Sequence, residues 1–508
     1  MELEGKRVLI LGLGESGLSM ARHLVAAGAL VGVADTRAEP PGLAALRAMA
    51  PEVPVATGEF ADALFENLDA LAVSPGVPVA GPLANAALLA AGARGVPMLG
   101  DIELFALALR REKERSGYAP KVLAITGTNG KTTVTSLTAF LAGRAGVRAL
   151  AAGNIGPAVL DAWESARADG TLPQVWVLEL SSFQLETTHS LVAHAATVLN
   201  VSEDHLDRHG TLEAYAAAKQ RIFAGTAIQV LNRDDARSLA MRRHFVPKNR
   251  RDTAPPVFTF GTDLPIGATD FGLVREARPG GLTWLAEGGG AGADGTEAEP
   301  PRRLMPQEVL KIRGAHNAAN ALAALALNRA IGLPLAPMLK ALADYAGLPH
   351  RVQTIATQAG VAYVDDSKGT NVGATRAALA GLGAELQGGA RILLIAGGEG
   401  KGQDFTPLSG LVALHCRAVL LIGRDAPTIR AALAGVAVPL IDCASLPVAV
   451  QEAARHAQAG DTVLLSPACA SFDMFRNYAE RAEAFVAAVR GLGRAAEAAP
   501  DGATGEAS

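Results

Sequence analysis

Along the chain, short apolar runs alternate with stretches of helical spacing, and glycine, proline or polar clusters punctuate each change. Residues 8–11, 30–34, 69–73 and 96–99 make such runs in the first part, and 122–125, 175–180 and 196–199 in the middle. The last part adds 361–364, 391–395, 418–422, 438–441 and 462–465. Runs this short and apolar, bounded by turn residues, predict strands buried on both faces. Helical segments between them predict an α/β chain of doubly wound parallel sheets. A charged helix end, 110–115, leads into Ser116-Gly117, where the first domain boundary falls. Gly332-Leu-Pro334 closes an Ala- and Leu-rich helix and marks the second. The domains expected are therefore 1–116, 117–332 and 333–490. The Ala/Gly/Glu tail 491–508 has little to bury and is expected to be disordered. Residues 226–312 are only weakly patterned. Within them, Arg242, Arg243, Lys248, Arg250 and Arg251 read as a solvated loop, and the glycine-rich 288–301 as a loop interrupting a hairpin.

Composition narrows the class. Hydrophobic residues make up 49% of the 508 but aromatics only 4%, so the cores must be built mainly from Ala, Leu and Val. Lys and Arg total 46 against 50 Asp and Glu, a net charge of −4 that offers a nucleic acid no basic field. Three cysteines, Cys416, Cys443 and Cys469, form no C-x-x-C pair. That spacing fits a reducing compartment, without a disulfide framework or a zinc knuckle. The first residues are charged and run straight into a strand, so no signal peptide is expected. No apolar run reaches membrane-spanning length. A cytoplasmic protein with no membrane partner is the expectation.

The clearest chemistry lies in Lys121-Val-Leu-Ala-Ile-Thr-Gly-Thr-Asn-Gly-Lys-Thr-Thr133. A strand, a Gly-bearing loop and a helix N-terminus make a nest of inward N–H groups for polyphosphate; the Lys adds charge, and a hydroxyl follows for Mg²⁺. The spacing G-x-x-x-x-G-K-[ST] is not met, because Ile125 stands where the first Gly belongs and Gly127 shortens the loop. ATP binding is the reading. Glu179 ends the strand 175–180 beside this loop, where a carboxylate is the expected Mg²⁺ partner. His205 sits among carboxylates after the strand 196–199, a candidate for catalysis or metal binding. Lys219 lies on an expected helix, 212–223, and nothing in its spacing marks it. Asn317 and Asn320 share a helix face and suit a nucleotide base.

Gly12-Leu-Gly-Glu-Ser-Gly17 is a complete G-x-G-x-x-G, with Asp35 at the end of the next strand, so an NAD-dependent enzyme is a live alternative. Gly153-Asn-Ile-Gly156 and Ser74-Pro-Gly76 are further strand-end turns that face ligands in such sheets. In the last domain, polar loops 365–371, 397–401 and 466–471 follow strands. Lys368, Lys401 and the hydroxyls of Thr370 and Ser471 suit a dicarboxylate. Cys469 has no paired base and reads as a buried structural thiol. A nucleotide-gated binding protein without catalytic activity is a third reading.

Taken together, Thr126-Gly-Thr-Asn-Gly-Lys-Thr-Thr133, Gly153-Asn-Ile-Gly156, Leu178-Glu-Leu-Ser-Ser-Phe-Gln184, Ser202-Glu-Asp-His-Leu-Asp207, His316-Asn317 and Gly347-Leu-Pro-His-Arg351 resemble the Mur ligases. These are ATP-dependent amide ligases of peptidoglycan precursor synthesis, and the shortened phosphate loop is the form they use. Asp35-Thr-Arg37, Gly100-Asp-Ile-Glu-Leu-Phe105, Asp366-Ser-Lys-Gly-Thr-Asn371 and Ser466-Pro-Ala-Cys-Ala-Ser471 resemble the members that add D-glutamate. The resemblance covers about residues 5–490.

It implies a Rossmann-like UDP-substrate domain, a central P-loop ATPase-like domain and a Rossmann-like C-terminal domain that binds the amino acid. UDP-N-acetylmuramoyl-L-alanine is expected with its uridine near Asp35, Thr36 and Arg37. Its diphosphate falls near Gly14, Ser16 and Gly76, and its muramoyl-alanine end near Asn154 and His205. ATP is expected on Gly127, Thr128, Asn129, Gly130, Lys131, Thr132 and Thr133, with Asn317, Asn320, Arg351 and Asp366 around it. Two Mg²⁺ ions are implied, one on Thr132 and Glu179, the other on His205 and a carbamate formed on Lys219. D-Glutamate is expected at Lys368, Thr370, Lys401, Ser471 and Phe472. Lys131, Glu179, His205 and Lys219 form the implied catalytic set, in a monomer.

Overall fold

Each apolar run forms a strand, with ends within two residues of expectation. Uniform burial explains the central ones: Ala70–Val73, Val175–Glu179, Ala195–Val198, Ile392–Gly397 and Thr462–Leu465 are buried at every position, whereas the edge strand Leu440–Asp442 is buried at none. The computed structural model describes residues 2–81, 83–243, 253–278, 280–290 and 299–497. The chain divides into two compact units, Met1–Leu310 with Ala319–Tyr345, and Lys311–Ala318 with Ala346–Ser508.

The first unit holds two sheets. One is wholly parallel, its strands ordered Val55–Thr57, Leu30–Asp35, Arg7–Leu11, Ala70–Val73, Met98–Leu99. The chain builds outward from Arg7–Leu11 on one side, then returns to the other. The switch point therefore lies between Arg7–Leu11 and Ala70–Val73, and the loops 12–17 and 74–76 leave their carboxyl ends side by side. A β-carbon on Gly17 would stand 1.9 Å from the Gly12 carbonyl oxygen, so only glycine lets helix Glu15–Ala26 sit this close to its strand.

The second sheet has nine strands among the described residues. Ala149–Gly153, Val175–Glu179, Lys121–Thr126, Ala195–Val198, Ile228–Asn232, Val257–Phe260 and Asp270–Arg275 pair in parallel. Thr283–Glu287 and Arg302–Pro306 then continue antiparallel. The last five strands fill the region read as weakly patterned, which is a correction. Ile228–Asn232 is buried at four of its five positions but its run is broken by Gln229 and Asn232; the other four are partly exposed, and the last three carry charges. The antiparallel pair does flank residues 288–301, but 291–298 lie outside the described residues, as do Lys248, Arg250, Arg251 and 498–508 of the tail; the tail's first residues, 491–497, instead continue helix Tyr478–Glu497. The expected helix 212–223 runs Leu212–Gln220 and tightens into a 3₁₀ turn, Arg221–Phe223.

Helix Asp101–Ser116 joins the two sheets of this unit. Phe105 packs edge-on against Trp176 at 4.9 Å and Trp163 at 6.0 Å, within one apolar cluster that runs from Val8 and Ile10 to Leu178 and Tyr215. The charged end of this helix is solvated except at Glu112, which is buried and accepts from Arg115 and Ser116.

The second unit carries the third sheet, ordered Gln353–Gln358, Val361–Asp365, Thr462–Leu465, Ile392–Gly397, Cys416–Ile422, Leu440–Asp442. Only its first strand is antiparallel. The polar loops after Val361–Asp365, Thr462–Leu465 and Ile392–Gly397 therefore leave three adjacent strand ends.

Candidate active site

The switch point of the first sheet opens into a cavity of about 760 Å³, room enough for a nucleotide joined to a sugar. Gly14, Ser16, Asp35, Thr36, Arg37, Gly76 and Asn154 line it; His205 does not. Asp35 is 2% exposed. Its Oδ2 accepts from Leu13 N–H at 2.7 Å and Arg37 Nη2 at 2.6 Å, and its Oδ1 from Arg37 N–H and Nε, both at 2.9 Å. The Arg37 guanidinium, with the N–H groups of Leu13 and Arg37, holds the carboxyl down at about 2. Four donors fill the positions a carboxylate offers. The dinucleotide reading needs this group for a ribose, and here it shapes the Leu13 turn and anchors Arg37.

The phosphate loop is braced from the neighbouring strand end. Asn129 N–H donates to Asn200 Oδ1 at 2.8 Å, and Asn200 Nδ2 returns a bond to the Asn129 carbonyl at 3.1 Å. Thr128 N–H donates to the Asn200 carbonyl at 2.9 Å, and Ser202 N–H to Thr128 Oγ1 at 3.0 Å. Gly130, at φ 83°, turns the chain into helix Lys131–Arg144, with Thr132 and Thr133 in its first turn. Asn320 lies against this turn, since a β-carbon on Gly130 would meet Asn320 Oδ1 at 2.7 Å. Asn317, four residues from Arg313, donates its Nδ2 to the Arg313 carbonyl at 2.8 Å.

Two lysines converge on this loop. Lys131 Nζ donates to the carbonyls of Gly127 and Thr128, and Lys219 Nζ to that of Gly127, each at 2.9 Å. Lys219 is 1% exposed, with its nitrogen 4.3 Å over the Tyr215 ring. Burial, helped by the neighbouring Lys131, holds its amine well below the usual lysine range. The lower the amine is held, the larger its uncharged fraction, which is nucleophilic and does not repel a cation.

Glu179 pairs with Ile125 of the phosphate-loop strand on one side and with Gly153 on the other. Asn154 Nδ2 donates to Glu179 Oε1 at 2.7 Å, and Asn154 N–H to the Glu179 carbonyl at 2.9 Å. Glu179 Oε2 is buried with no protein hydrogen-bond partner. Gly153, at φ 105°, makes this crossing possible; a β-carbon there would stand 2.4 Å from the Glu179 carbonyl oxygen. His205, at φ 54°, precedes the short helix Leu206–His209, and its ring meets Phe183 edge-on at 4.9 Å. Among the described residues no three His, Cys, Asp or Glu side chains gather into a metal cage. A divalent cation here would take one carboxylate oxygen, a hydroxyl and phosphate oxygens, which is how Mg²⁺ is usually held.

In the second unit, Asp366 accepts from Ser466 Oγ at 2.7 Å and from Val352 N–H at 3.3 Å, and burial pushes its carboxyl up to about 7. Lys368 Nζ donates to Tyr478 Oη at 3.2 Å and lies over that ring. Arg481, 1% exposed, donates to the Cys469 carbonyl at 3.1 Å and to the Ser367 carbonyl at 2.8 Å, tying two of the three polar loops together. Lys401, at φ 52°, belongs to the third, which follows Ile392–Gly397; Ser471 is buried, Thr370 half-buried and Phe472 exposed. Cys469 is fully buried and its thiol is pushed up to about 12, as a structural thiol should be.

Sequence reasoning gave no role to several residues that organise these sites. Phe60 and Gln184 line the cavity, Asn200 braces the phosphate loop, Phe183 flanks His205, and Arg481 and Tyr478 support the loops of the second unit. Asn200, Phe183 and Gln184 stand inside or beside the motifs, which was a usable signal. Arg481 sits in the amphipathic helix Tyr478–Glu497, beside buried Ala482 and Phe485, and carried none.

Comparison with known proteins agrees along the chain. Residues 6–100 match the family description "Mur ligase MurD-like, N-terminal domain", 125–271 "Mur ligase middle domain", and 350–469 "Mur ligase, glutamate ligase domain". The chain is 54% identical over 510 residues to a protein of Cupriavidus pinatubonensis named UDP-N-acetylmuramoylalanine--D-glutamate ligase, covering 97% of this chain and 98% of that one. A Burkholderia mallei protein of the same name is 53% identical over 502 residues, covering 96% and 97%. Among solved structures, MurF of Acinetobacter baumannii aligns with a TM-score of 0.57 at 17% identity, covering 95% of this chain and 93% of that one. The UDP-N-acetylmuramate-alanine ligase MurC of Thermotoga maritima gives 0.55 at 20% identity, covering 96% and 100%. These two likenesses concern the fold alone.

Proposed function

The chain belongs to the Mur ligase family, and on that premise we infer that it is an ATP-dependent ligase joining D-glutamate to UDP-N-acetylmuramoyl-L-alanine in peptidoglycan precursor synthesis. One observation carries the mechanism. Glu179 is held by Asn154, a cavity residue, while its strand lies beside the phosphate-loop strand. An acid group presented from the cavity and a nucleotide phosphate on the loop would meet beside this carboxylate.

The chemistry needs that meeting. A carboxylate is a poor electrophile. Attack by the L-alanine carboxylate oxygen on the γ-phosphorus of ATP breaks the bond to the β-phosphate bridge, releases ADP and leaves an acyl phosphate. The amine of D-glutamate then adds to the carbonyl carbon and loses a proton. Collapse of the tetrahedral adduct expels phosphate and leaves the amide. Lys131 and the first-turn N–H groups of helix Lys131–Arg144 offset the charge that keeps two anions apart, while those of Thr128 and Asn129 are held by Asn200. Thr132 and Glu179 fit one Mg²⁺, since Glu179 Oε2 is buried without a protein partner. His205 and Lys219, as a carbamate, fit a second, because the depressed amine can add CO₂. Bound there, the ions supply positive charge beside the transferring phosphoryl group.

Gly14, Ser16, Thr36, Arg37, Gly76 and Asn154 form the UDP-substrate set, with Asp35 acting through Arg37 and the Leu13 turn and His205 outside the cavity lining, toward the reacting end; Asn317, Asn320, Arg351 and Asp366 complete that for ATP. Lys368, Thr370, Lys401, Ser471 and Phe472 form the D-glutamate set. We assign one domain to each sheet, 1–116, 117–332 and 333–490, in a cytoplasmic monomer, with the stretch 333–345, which carries helix Leu335–Leu342, falling in the first compact unit. No described helix is long and apolar enough to cross a membrane. Phosphate release is to be measured with UDP-N-acetylmuramoyl-L-alanine and ATP, with and without D-glutamate. Release that ignores the amino acid refutes ligation, and L-alanine, L-lysine and L-glutamate as acceptors test the choice of amine.

A further inference from the structure

Arg208 lies in the short helix after His205, and its guanidinium reaches the loop that leaves the first sheet's switch point. Nη1 donates to the Pro75 carbonyl at 3.3 Å and Nη2 to the Val77 carbonyl at 3.2 Å, so the group grips the backbone on both sides of Gly76. Nη2 also meets Glu186 Oε2 at 2.7 Å, and the guanidinium lies 4.6 Å over the Phe183 ring. The side chain is only 8% exposed, which shields these bonds from water. Pro75, Gly76 and Val77 line the cavity, whereas Arg208 does not. Phe183, clamped from one side by Arg208, meets the His205 ring edge-on with its own.

We propose that Arg208 is a positioning residue that couples the Pro75–Val77 wall of the cavity to the placement of His205. The proposal rests on reading the cavity as the UDP-substrate's site. A loop free to move makes the ligand bear the cost of ordering it, and a fork that fixes both carbonyls removes that cost in advance. The fork also ties loop position to the Phe183–His205 contact, so a ligand that settles the loop settles the imidazole. Lysine, a single point charge, cannot reach two carbonyls and a carboxylate at once.

Binding to full-length R208Q and R208K, by calorimetry, tests this with UDP-N-acetylmuramoyl-L-alanine in the absence of ATP, and separately with MgATP alone. R208Q should weaken the UDP-substrate about tenfold, the loss expected when two carbonyl bonds go, and weaken MgATP by a clearly smaller factor, through His205 alone. In turnover, KM for the UDP-substrate should rise and kcat fall, while KM for D-glutamate holds and R208K recovers part of the loss. UDP-substrate binding by R208Q within about twofold of wild type overturns the coupling, as does an equal loss for MgATP, the mark of a merely structural role. Should R208Q fail to fold, R208K decides by the same criteria. A wild-type protein that does not bind the UDP-substrate overturns the substrate reading and the coupling with it; wild-type binding with an unchanged R208Q overturns the coupling alone.

Discussion

Asp366→Asn should stabilise the second unit, and increasingly so as pH rises. Asp366 is buried, with Ser466 Oγ at 2.7 Å and Val352 N–H at 3.3 Å as its donors, and its carboxyl is pushed from 3.8 to about 7. Between those values the folded chain keeps a proton that the unfolded chain has released. The stability this group contributes is therefore full below 3.8 and falls as pH rises to about 7, after which it is level. At ~1.36 kcal/mol per pH unit, keeping Asp366 ionised in the fold costs about 4 kcal/mol above pH 7. Asparagine carries no such cost. Its amide can donate to Ser466 Oγ, whose hydroxyl can turn to Thr375 Oγ1, 3.1 Å away. Hydrogen-bond differences that do not titrate cancel when two pH values are compared. The stability gap between D366N and wild type should widen by about 2–3 kcal/mol from about pH 5 to about pH 8. Native-state hydrogen exchange of the amides in Val361–Asp365 and Thr462–Leu465 reads the stability of this sheet. A gap that is the same at both pH values would show that Asp366 is ionised throughout, and would refute the reasoning.

Glu179→Gln should lower phosphate release by about 10³-fold, because the carboxylate oxygen that fits Mg²⁺ is lost; initial-rate assays at saturating MgATP check this. Lys219→Ala should cut turnover by at least about a hundredfold, with partial recovery on adding a small carboxylic acid that can take the place of the carbamate oxygens. Full activity without rescue removes Lys219 from the site. Gly153→Ala combines a φ of 105° with a β-carbon 2.4 Å from the Glu179 carbonyl oxygen. It should destabilise the first unit by about 3 kcal/mol, measured by urea denaturation, and an unchanged midpoint would contradict the close crossing.

The sequence by itself determined the strands and the anion cradle, because both are local. A strand buried on both faces has to be written as an apolar run, and residues 175–179 and 462–465 could be read directly for that reason. The strands between 257 and 306 escaped because much of the sheet there meets water, and Ile228–Asn232 because the buried polar residues Gln229 and Asn232 break its apolar run. The glycines of the two loops were legible as turns, but what Gly17 and Gly153 avoid, the carbonyls of Gly12 and Glu179, is a fact of tertiary approach.

Tertiary structure alone decided the state of the ionisable groups. Lys219 looked like any helical lysine until burial and Lys131 were found to depress its amine. Asp35 looked free to hold a ribose until four donors from Leu13 and Arg37 were found on it. Arg208 and Arg481 grip backbone carbonyls more than a hundred residues away in sequence. The reason is common to all of them. A residue's type records what it can donate, accept or ionise, but desolvation and partners at long range fix which of these it does, and neither is written in its neighbours along the chain.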